Sequence, residues 1–284
     1  MTWNEAVEDY VHTLRDSTAR QYRVALDDFH RWYIGSYAED PEPALLTDEE
    51  LRQWRGHLSG VRKLAASTVN VRLSAVKGLA RHHGRTLETE GVRKVKQPIE
   101  PLNGRELGRL VAAVEGHQWG PRWLPLRNLA MVAIMARAGL RVGEVVALDM
   151  KDIELKERSG WVLIRQGKGL KERKVPLSLQ TRKRLQAYLD VRPEWADEAL
   201  FLTKSGNRVS AGAIQRMVKD AAQRARIDKD VTPHVLRHTF ATRFLRKGND
   251  LATLRDILGH ASITTTSRYL HPDAAQMQNM VEEL

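Results

Sequence analysis

One arginine near the middle of the chain stands where it can bind an anion. Gly139 ends a predicted helix, Arg141 begins the next, and Glu144 follows three residues later. Residues three apart on a helix are neighbours, so Glu144 can reach back and orient the guanidinium. Arginine presents a planar fork of N–H donors that suits phosphate oxygens. By itself the signal is weak, because most arginines near helix starts are surface residues.

A second anion-binding pattern begins at Thr232, a good N-cap that is followed by a proline at the first helical position. His234 and Arg237 then share a face near the helix N-terminus, which is a natural anion site. His234 and His238 also have zinc-binding spacing. We expect no metal there, because Val235 stands where a zinc protease has its glutamate and no third ligand follows on that helix.

Two further segments carry a lysine and a tyrosine. Lys168 lies between two glycines in a basic hairpin tip, and such glycines let a backbone approach a phosphate closely. A solvated basic turn explains this segment equally well. Gly259 ends a predicted helix, His260 lies in the following turn, and Tyr269 comes near the end of the next helix. A lone tyrosine there would ordinarily be a core or interface residue.

A mainly helical fold with a small antiparallel three-stranded sheet is predicted to position these side chains. Periodic apolar residues and caps indicate helices, and short alternating runs indicate strands. From residue 103 onward the predicted helices are 103–116, 122–138, a short one from 141, 178–190, 210–225, 234–247, 250–258 and 262–270. The predicted strands are 152–155, 161–164 and 173–175.

The first 92 residues are predicted to be helical throughout. The expected helices are 19–34 capped by Ser17 or Thr18, a second from Thr47 to about 59, and a third from Ser67 or Thr68 to about 83. The polar face of the third helix is a candidate for the DNA major groove, although an exposed helix face is the commoner explanation. Its residues are Thr68, Asn70, Arg72, Lys77 and Arg81.

Residues 84–101 change character, with two prolines, two glycines and little apolar periodicity, and indicate an interdomain linker. We therefore expect a helical domain over 1–92, a linker over 93–101, a second domain over 102–272 and an amphipathic tail over 273–284. The tail either packs on a neighbouring protomer or docks on its own domain.

The charge of the chain indicates a polyanionic partner. The 284 residues carry a net charge of +11. Residues 1–50 hold twelve acids and four arginines, whereas residues 51–97 hold eleven basic side chains and two acids. Basic segments of this kind are typical of proteins that bind nucleic acid. The absence of cysteine excludes disulfides, cysteine-ligated metals and a catalytic thiol. We expect a cytoplasmic protein with no membrane span, since the longest strictly apolar run is only Leu129–Ala136.

Taken together, the polar segments resemble the tyrosine recombinase (phage integrase) family, in order and in spacing, over about residues 100–271. All six signature residues are present: Arg141, Lys168, His234, Arg237, His260 and Tyr269. The resemblance is closest to Xer-type or transposon-resolving recombinases. It implies a helical, SAM-like core-binding domain followed by a catalytic domain. One local variation, four residues over 157–160, slightly lengthens the first hairpin and should not affect the chemistry.

The resemblance implies site-specific DNA recombination without metal, ATP or any other cofactor. Tyr269 attacks a phosphodiester, a 3′-phosphotyrosyl bond forms and a 5′-hydroxyl leaves. The family roles are charge stabilisation by Arg141, Arg237 and His260, proton transfer or hydrogen bonding by His234, and proton donation by Lys168. Glu144 and His238 are expected to support these residues, and Lys171 and Arg173 to contact DNA.

The partners that the resemblance implies are double-stranded DNA with inverted half-sites and further copies of the chain. A dimer on one site and a tetramer in the synapse pass through a Holliday junction. Three alternatives remain open: a type IB topoisomerase-like nicking–closing enzyme, a catalytically idle DNA-binding regulator, and a metal-dependent nuclease. The first would relax supercoils without site dependence, and the third would lose activity in chelator.

Overall fold

The computed structural model describes residues 1–93, 99–117, 120–165, 172–194 and 198–259. The chain separates into two compact units, Met1–Gln97 and Pro98–Leu284. The elements are mainly helical and include one small sheet, so the predicted fold class is confirmed. No helix among the described residues is long and apolar enough to cross a membrane.

The described residues of the first unit form four helices and a π-helical turn. They are α1 (Trp3–His12), α2 (Asp16–Tyr37), α3 (Asp48–Gly56), the turn His57–Val61 and α4 (Ala66–His82). The core is aromatic, with Phe29 packed edge-on against Trp54 at 4.9 Å between ring centroids. The predicted apolar stripe of α4, Val69, Leu73, Val76 and Leu79, is buried.

Only one of the three caps predicted in this unit is found. Thr47 forms a capping box with Glu50, and each residue's side chain binds the other's backbone amide. The cap predicted at Ser17 and Thr18 is wrong, because α2 already begins at Asp16 after Arg15. The cap predicted at Ser67 or Thr68 is also wrong, since α4 begins one residue before that pair after Ala65 and no side chain binds its first amides.

Residues 84–93, which follow α4, contain no helix or strand but are held against the rest of the first unit. Asp48 accepts hydrogen bonds from the backbone amides of Glu88 and Thr89, at 2.8 and 2.6 Å. Leu87 is buried in the same core. The change of composition at residue 84 therefore marks the end of α4 but not the end of the packed unit, and the linker over 93–101 stays a prediction.

The described residues of the second unit form seven helices and the three-stranded sheet. The helices are α5 (Gly104–Glu115), α6 (Trp123–Arg137), α7 (Val142–Ala147), α8 (Leu179–Leu189), α9 (Ala211–Arg224), α10 (Pro233–Arg246) and α11 (Leu251–Leu258). The strands, which follow a short 3₁₀ turn, are β1 (Ile153–Leu155), β2 (Gly160–Ile164) and β3 (Arg173–Pro176). They pair antiparallel in the order β1-β2-β3. Helix α6 is buried along most of its length, because apolar neighbours cover it on several sides.

Candidate functional site

The turn between α6 and α7 sets the position of Arg141. Gly139 has φ +72°, a left-handed conformation that ends α6, and a Cβ atom there would lie 2.4 Å from the Phe240 ring. Leu140 is then fully buried, which anchors the turn. Arg141 becomes the N-cap residue of α7 with extended backbone. The glycine is thus required both for the turn and for the close approach of α10.

Glu144 orients Arg141 as the spacing predicted. Its carboxylate accepts the Arg141 backbone amide at 2.8 Å and the Arg141 Nη1 at 2.8 Å. The Glu144 side chain is only 12% exposed, whereas that of Arg141 is 43% exposed. The acid is therefore a buried support and the arginine is open to solvent, where it can meet a ligand.

Arg237 lies on α10 and is almost fully buried, at 2% exposure. Its Nη1 donates to the Gly139 carbonyl at 2.6 Å and its Nη2 donates to the Leu258 carbonyl at 2.8 Å. Its Nη1 also lies 3.8 Å from a Glu144 carboxylate oxygen. The guanidinium is thus held between the end of α6 and the end of α11.

Arg141 and Arg237 converge on a single acceptor at the end of α11. The Leu258 carbonyl accepts from Arg141 Nη1 at 3.2 Å and from Arg237 Nη2 at 2.8 Å. Arg141 Nη2 also lies 3.4 Å from the Gly259 carbonyl. The last carbonyls of a helix carry partial negative charge and lack intrahelical donors, so cations are stabilised there. The fold therefore brings both predicted anion-binding arginines to one place.

A third arginine, Arg173 of β3, completes this cluster. Its Nη2 binds Glu144 at 2.9 Å, its Nε donates to the Ile257 carbonyl at 2.9 Å, and its side chain is 10% exposed. This contact network gives Arg173 a supporting role that we did not predict. Side-chain alternation along β3 could have indicated that Arg173 faces the interior, because Arg173 and Val175 share a face and Val175 is fully buried. The predicted DNA contact of Arg173 stays a prediction.

Glu144 is charged in this setting. Burial raises the pKa of its carboxyl, but the charge of Arg173 and the amide and guanidinium of Arg141 outweigh it, and the pKa lies below its usual value. A buried carboxylate that faces three guanidinium groups leaves a net positive site. Such a site favours a bound anion.

The two histidines of α10 differ in exposure. His234 lies in the first turn, directly after Pro233, and is exposed, whereas His238 one turn later is half-buried. Thr232 caps the helix as predicted by accepting from the Val235 amide at 3.3 Å. Among the described residues, these histidines do not belong to a group of three ligands that could hold a metal ion.

Four predicted site residues, Lys168, Lys171, His260 and Tyr269, lie outside the described residues, as does the predicted tail 273–284. Arg141, Glu144, Arg173 and Arg237 are the predicted residues that the described structure brings together. In the chain, His260 directly follows Gly259, whose carbonyl lies 3.4 Å from Arg141 Nη2.

The five residues of the predicted DNA-binding face of α4 differ in their contacts and in their exposure. Asn70 both donates to the Val92 carbonyl at 2.8 Å and accepts from the Val92 amide at 2.7 Å, so it holds the segment after α4. Arg72 pairs with Asp28 of α2 and its side chain is 16% exposed. Thr68 and Arg81 are exposed, and Lys77 is half-buried. Asn70 and Arg72 thus have structural partners, and a DNA contact by any of the five stays a prediction.

The comparisons with known proteins agree with this arrangement. Residues 101–276 match the phage integrase family. The tyrosine recombinase XerC of Escherichia coli O157:H7 is 37% identical over 161 residues, which span 56% of this chain and 53% of that protein. The aligned stretch thus covers about half the length of this curated relative.

Two solved structures extend the likeness over nearly the whole chain. XerA recombinase is 28% identical with a TM-score of 0.58, and the match covers 99% of this chain and 98% of that chain. The XerH site-specific recombinase bound to palindromic difH substrate is 22% identical with a TM-score of 0.76, over 93% of this chain and 79% of that chain, which is a likeness of fold. Because the family match covers more than half of its residues, the chain belongs to the phage integrase family of tyrosine recombinases.

Proposed function

We propose that this chain is a site-specific DNA recombinase that cleaves and rejoins DNA through a 3′-phosphotyrosyl intermediate. The observation that carries the proposal is the convergence of Arg141 and Arg237 on the Leu258 carbonyl, with Glu144 behind both. Two guanidinium forks at one point can hold the non-bridging oxygens of a single phosphodiester. The membership of the chain in the tyrosine recombinase family supports the same chemistry.

The proposed chemistry is nucleophilic substitution at phosphorus. The Tyr269 hydroxyl, whose ordinary pKa is about 10, attacks the scissile phosphorus as His234 accepts its proton or binds the phosphate. Arg141, Arg237 and His260 stabilise the charge that develops on the non-bridging oxygens. Lys168 gives its proton to the departing 5′-oxygen. The phosphotyrosyl bond retains the energy of the cleaved bond, so rejoining needs no ATP, metal or other cofactor.

The proposed partner is double-stranded DNA with inverted half-sites. XerH was solved on a palindromic difH substrate, which supports this kind of site. We propose that residues 1–92 bind the core of the site, that 93–101 form the linker and that 102–272 carry the catalysis. Two protomers on one site and four in the synapse would exchange strands through a Holliday junction in the cytoplasm.

A topoisomerase-like nicking–closing enzyme, or an idle DNA-binding regulator, would share parts of this site. A nicking–closing enzyme relaxes supercoiled plasmid without regard to sequence and joins only the strand that it cut. A regulator binds its site and forms no adduct. Covalent adduct formation and site dependence therefore separate the three functions.

The experiment that tests the proposal uses full-length protein and a randomised DNA library. Duplexes that bind are selected first, and nicked versions of the selected duplexes then trap any covalent adduct. We expect adducts in the presence of chelator, attached at the 3′ side of one recurrent position within an inverted repeat. Adducts at unrelated sequences would favour the topoisomerase alternative, and binding without adducts would favour the regulator.

A further inference from the structure

A group of three metal-ligating side chains lies in the first unit, and none of the three is among the residues assigned to catalysis above. Asp9 is on α1, and His82 and His83 are the last residue and the C-cap of α4. Ligand atoms of the three side chains all lie within 4.8 Å of one another. The Asp9 Oδ2 is 2.8 Å from the His82 Nε2. Two imidazoles and a carboxylate are a donor set that binds zinc and related divalent metals.

The spacing of the two imidazole rings fits one shared ion. Rings that bind a tetrahedral zinc ion through nitrogen at ~2.0–2.1 Å have their centroids about 5.2 Å apart. The centroids of His82 and His83 are 5.1 Å apart. The Asp9 oxygen and the His82 nitrogen would have to separate to about 3.3 Å around a tetrahedral ion. Because the Asp9 side chain is 60% exposed, this small opening meets little resistance.

His83 supplies a second observation that points to a ligand. Its Nε2 atom is buried and has no hydrogen-bond partner within the part of the chain that the structure describes. A buried polar atom without a partner is costly, and a bound water or ion is one of the explanations for such an atom in native proteins. A neutral imidazole nitrogen beside a carboxylate and a second imidazole can satisfy that need by binding a metal.

The location at the end of α4 also favours a cation. The C-terminus of a helix carries partial negative charge, and His82 and His83 occupy that end. Three protein ligands leave a fourth tetrahedral position open to water, because the site lies at the surface. We propose that Asp9, His82 and His83 bind one Zn²⁺ ion, which fastens α1 to the end of α4.

The test is zinc titration of the full-length protein by isothermal calorimetry, with variants at exposed ligands. Removing a group that hydrogen-bonds to a metal ligand typically lowers metal affinity by about 10–100-fold. Removing a ligand itself should lower the affinity at least as much. We therefore expect Asp9→Asn and His82→Gln each to lose one bound zinc equivalent. The matched controls are Asp27→Asn on α2 and His12→Gln on α1, both exposed. They should bind zinc as the wild type does, and they account for any binding by other histidines.

A melting experiment gives a second measurement. A metal that binds only the folded state raises the melting temperature, and we expect zinc to add about 5 °C in the wild type and in both controls. Zinc should leave the melting temperatures of Asp9→Asn and His82→Gln unchanged. Equal zinc stoichiometry and affinity in all five proteins, or no zinc binding by the wild type, would overturn the proposal. Circular dichroism without zinc verifies that each variant is folded.

Discussion

The carboxylate of Glu144 and the guanidinium of Arg173 form a salt bridge of 2.9 Å in which both side chains are about nine-tenths buried. This contact joins α7 to β3, and Arg173 in turn binds the Ile257 carbonyl near the end of α11. Gly259 follows, with φ +63°, and a Cβ atom there would lie 2.8 Å from Arg173 Nη1. Arg173 and its ion pair with Glu144 therefore connect α7, β3 and the end of α11 beside Arg141 and Arg237.

We expect Glu144→Gln to destabilise the protein and to slow cleavage more than it weakens DNA binding. Removing one partner of a buried ion pair leaves the arginines without their counter-charge, which typically costs about 3–5 kcal/mol. The control is Glu154→Gln, where the acid pairs with Lys156 at the surface and little loss of stability is expected. Urea unfolding measures both variants.

The pH dependence of the stability of the wild type and of Glu144→Gln tests whether the charge of Glu144 causes the difference between them. The pKa of Glu144 is lowered in the folded state, so its stabilising contribution is complete above the unfolded pKa and is lost as the pH falls through the folded pKa. The difference between wild type and Glu144→Gln should be constant near neutral pH and should shrink on acidification below about pH 4.5. A difference that does not change with acidification contradicts this role for the charged carboxylate.

We expect Arg173 to act by holding Glu144 and the end of α11 in place. Arg173→Lys cannot bind Glu144 and the Ile257 carbonyl at once in the same geometry, so the cleavage rate should fall while the salt dependence of DNA binding stays the same. Lys174, the exposed neighbour on β3, is the control. Lys174→Ala should lower the salt slope by at most about one unit and leave cleavage unchanged. Normal cleavage by Arg173→Lys would contradict this positioning role, because lysine keeps the charge but not both contacts.

The sequence predicted the described helices and strands of the second unit closely because their signals are local. The predicted helix 262–270 lies outside the described residues. Thr232, Ser178, Ser210 and Asn103 are strong caps, and each caps the helix that was expected there. The i,i+3 relation of Arg141 and Glu144 is also local, and the structure confirms it. Arg173 was missed as a support because its partners lie 29 and 84 residues away along the chain. Only tertiary packing brings them together.

The first unit was predicted less well for the same physical reason. Helices α2 and α4 begin without a side-chain cap, so their starts depend on packing of their apolar faces and not on local hydrogen bonds. The partners of Asn70 and Arg72, Val92 and Asp28, likewise come from other segments. A polar residue beside an apolar stripe can either face solvent or bind a neighbouring element, and sequence spacing does not distinguish the two.

The tail provides a prediction about assembly. Its apolar residues Met277, Met280, Val281 and Leu284 recur at helical spacing. We expect deletion of 273–284 to preserve binding of one protomer to a half-site and to weaken cooperative binding of two protomers and strand exchange. Gel shifts on half-sites and full sites measure this. Equal cooperativity in the full-length and shortened proteins would mean that the tail does not pack on a neighbour.

Substitution of Lys168 tests proton donation separately from DNA binding. Lys168→Ala should bind its site nearly as well as the wild type but cleave ~10²–10⁴-fold more slowly, because the 5′-oxygen leaves without a proton. A substrate with sulfur at the 5′-bridging position releases a thiolate, which needs no proton, and should restore the rate. The same substrate should not rescue Arg141→Ala or Arg237→Ala, which lose charge stabilisation.

Lys171→Ala is the matched control for this measurement. Rescue of Lys171→Ala but not of Lys168→Ala would show that the neighbouring lysine is the acid. Rescue of neither would show that the hairpin positions DNA and that the proton comes from another group.

The central claim is that the Tyr269 hydroxyl is the nucleophile, and removal of that one atom tests it most directly. Wild-type protein and Tyr269→Phe are incubated with the nicked substrate, denatured and resolved by electrophoresis, and site binding is measured in parallel by gel shift. We predict that Tyr269→Phe binds the site nearly as well as the wild type and forms no covalent adduct. Adducts formed by Tyr269→Phe at the wild-type rate would mean that another nucleophile attacks the DNA, and the proposed mechanism would be contradicted.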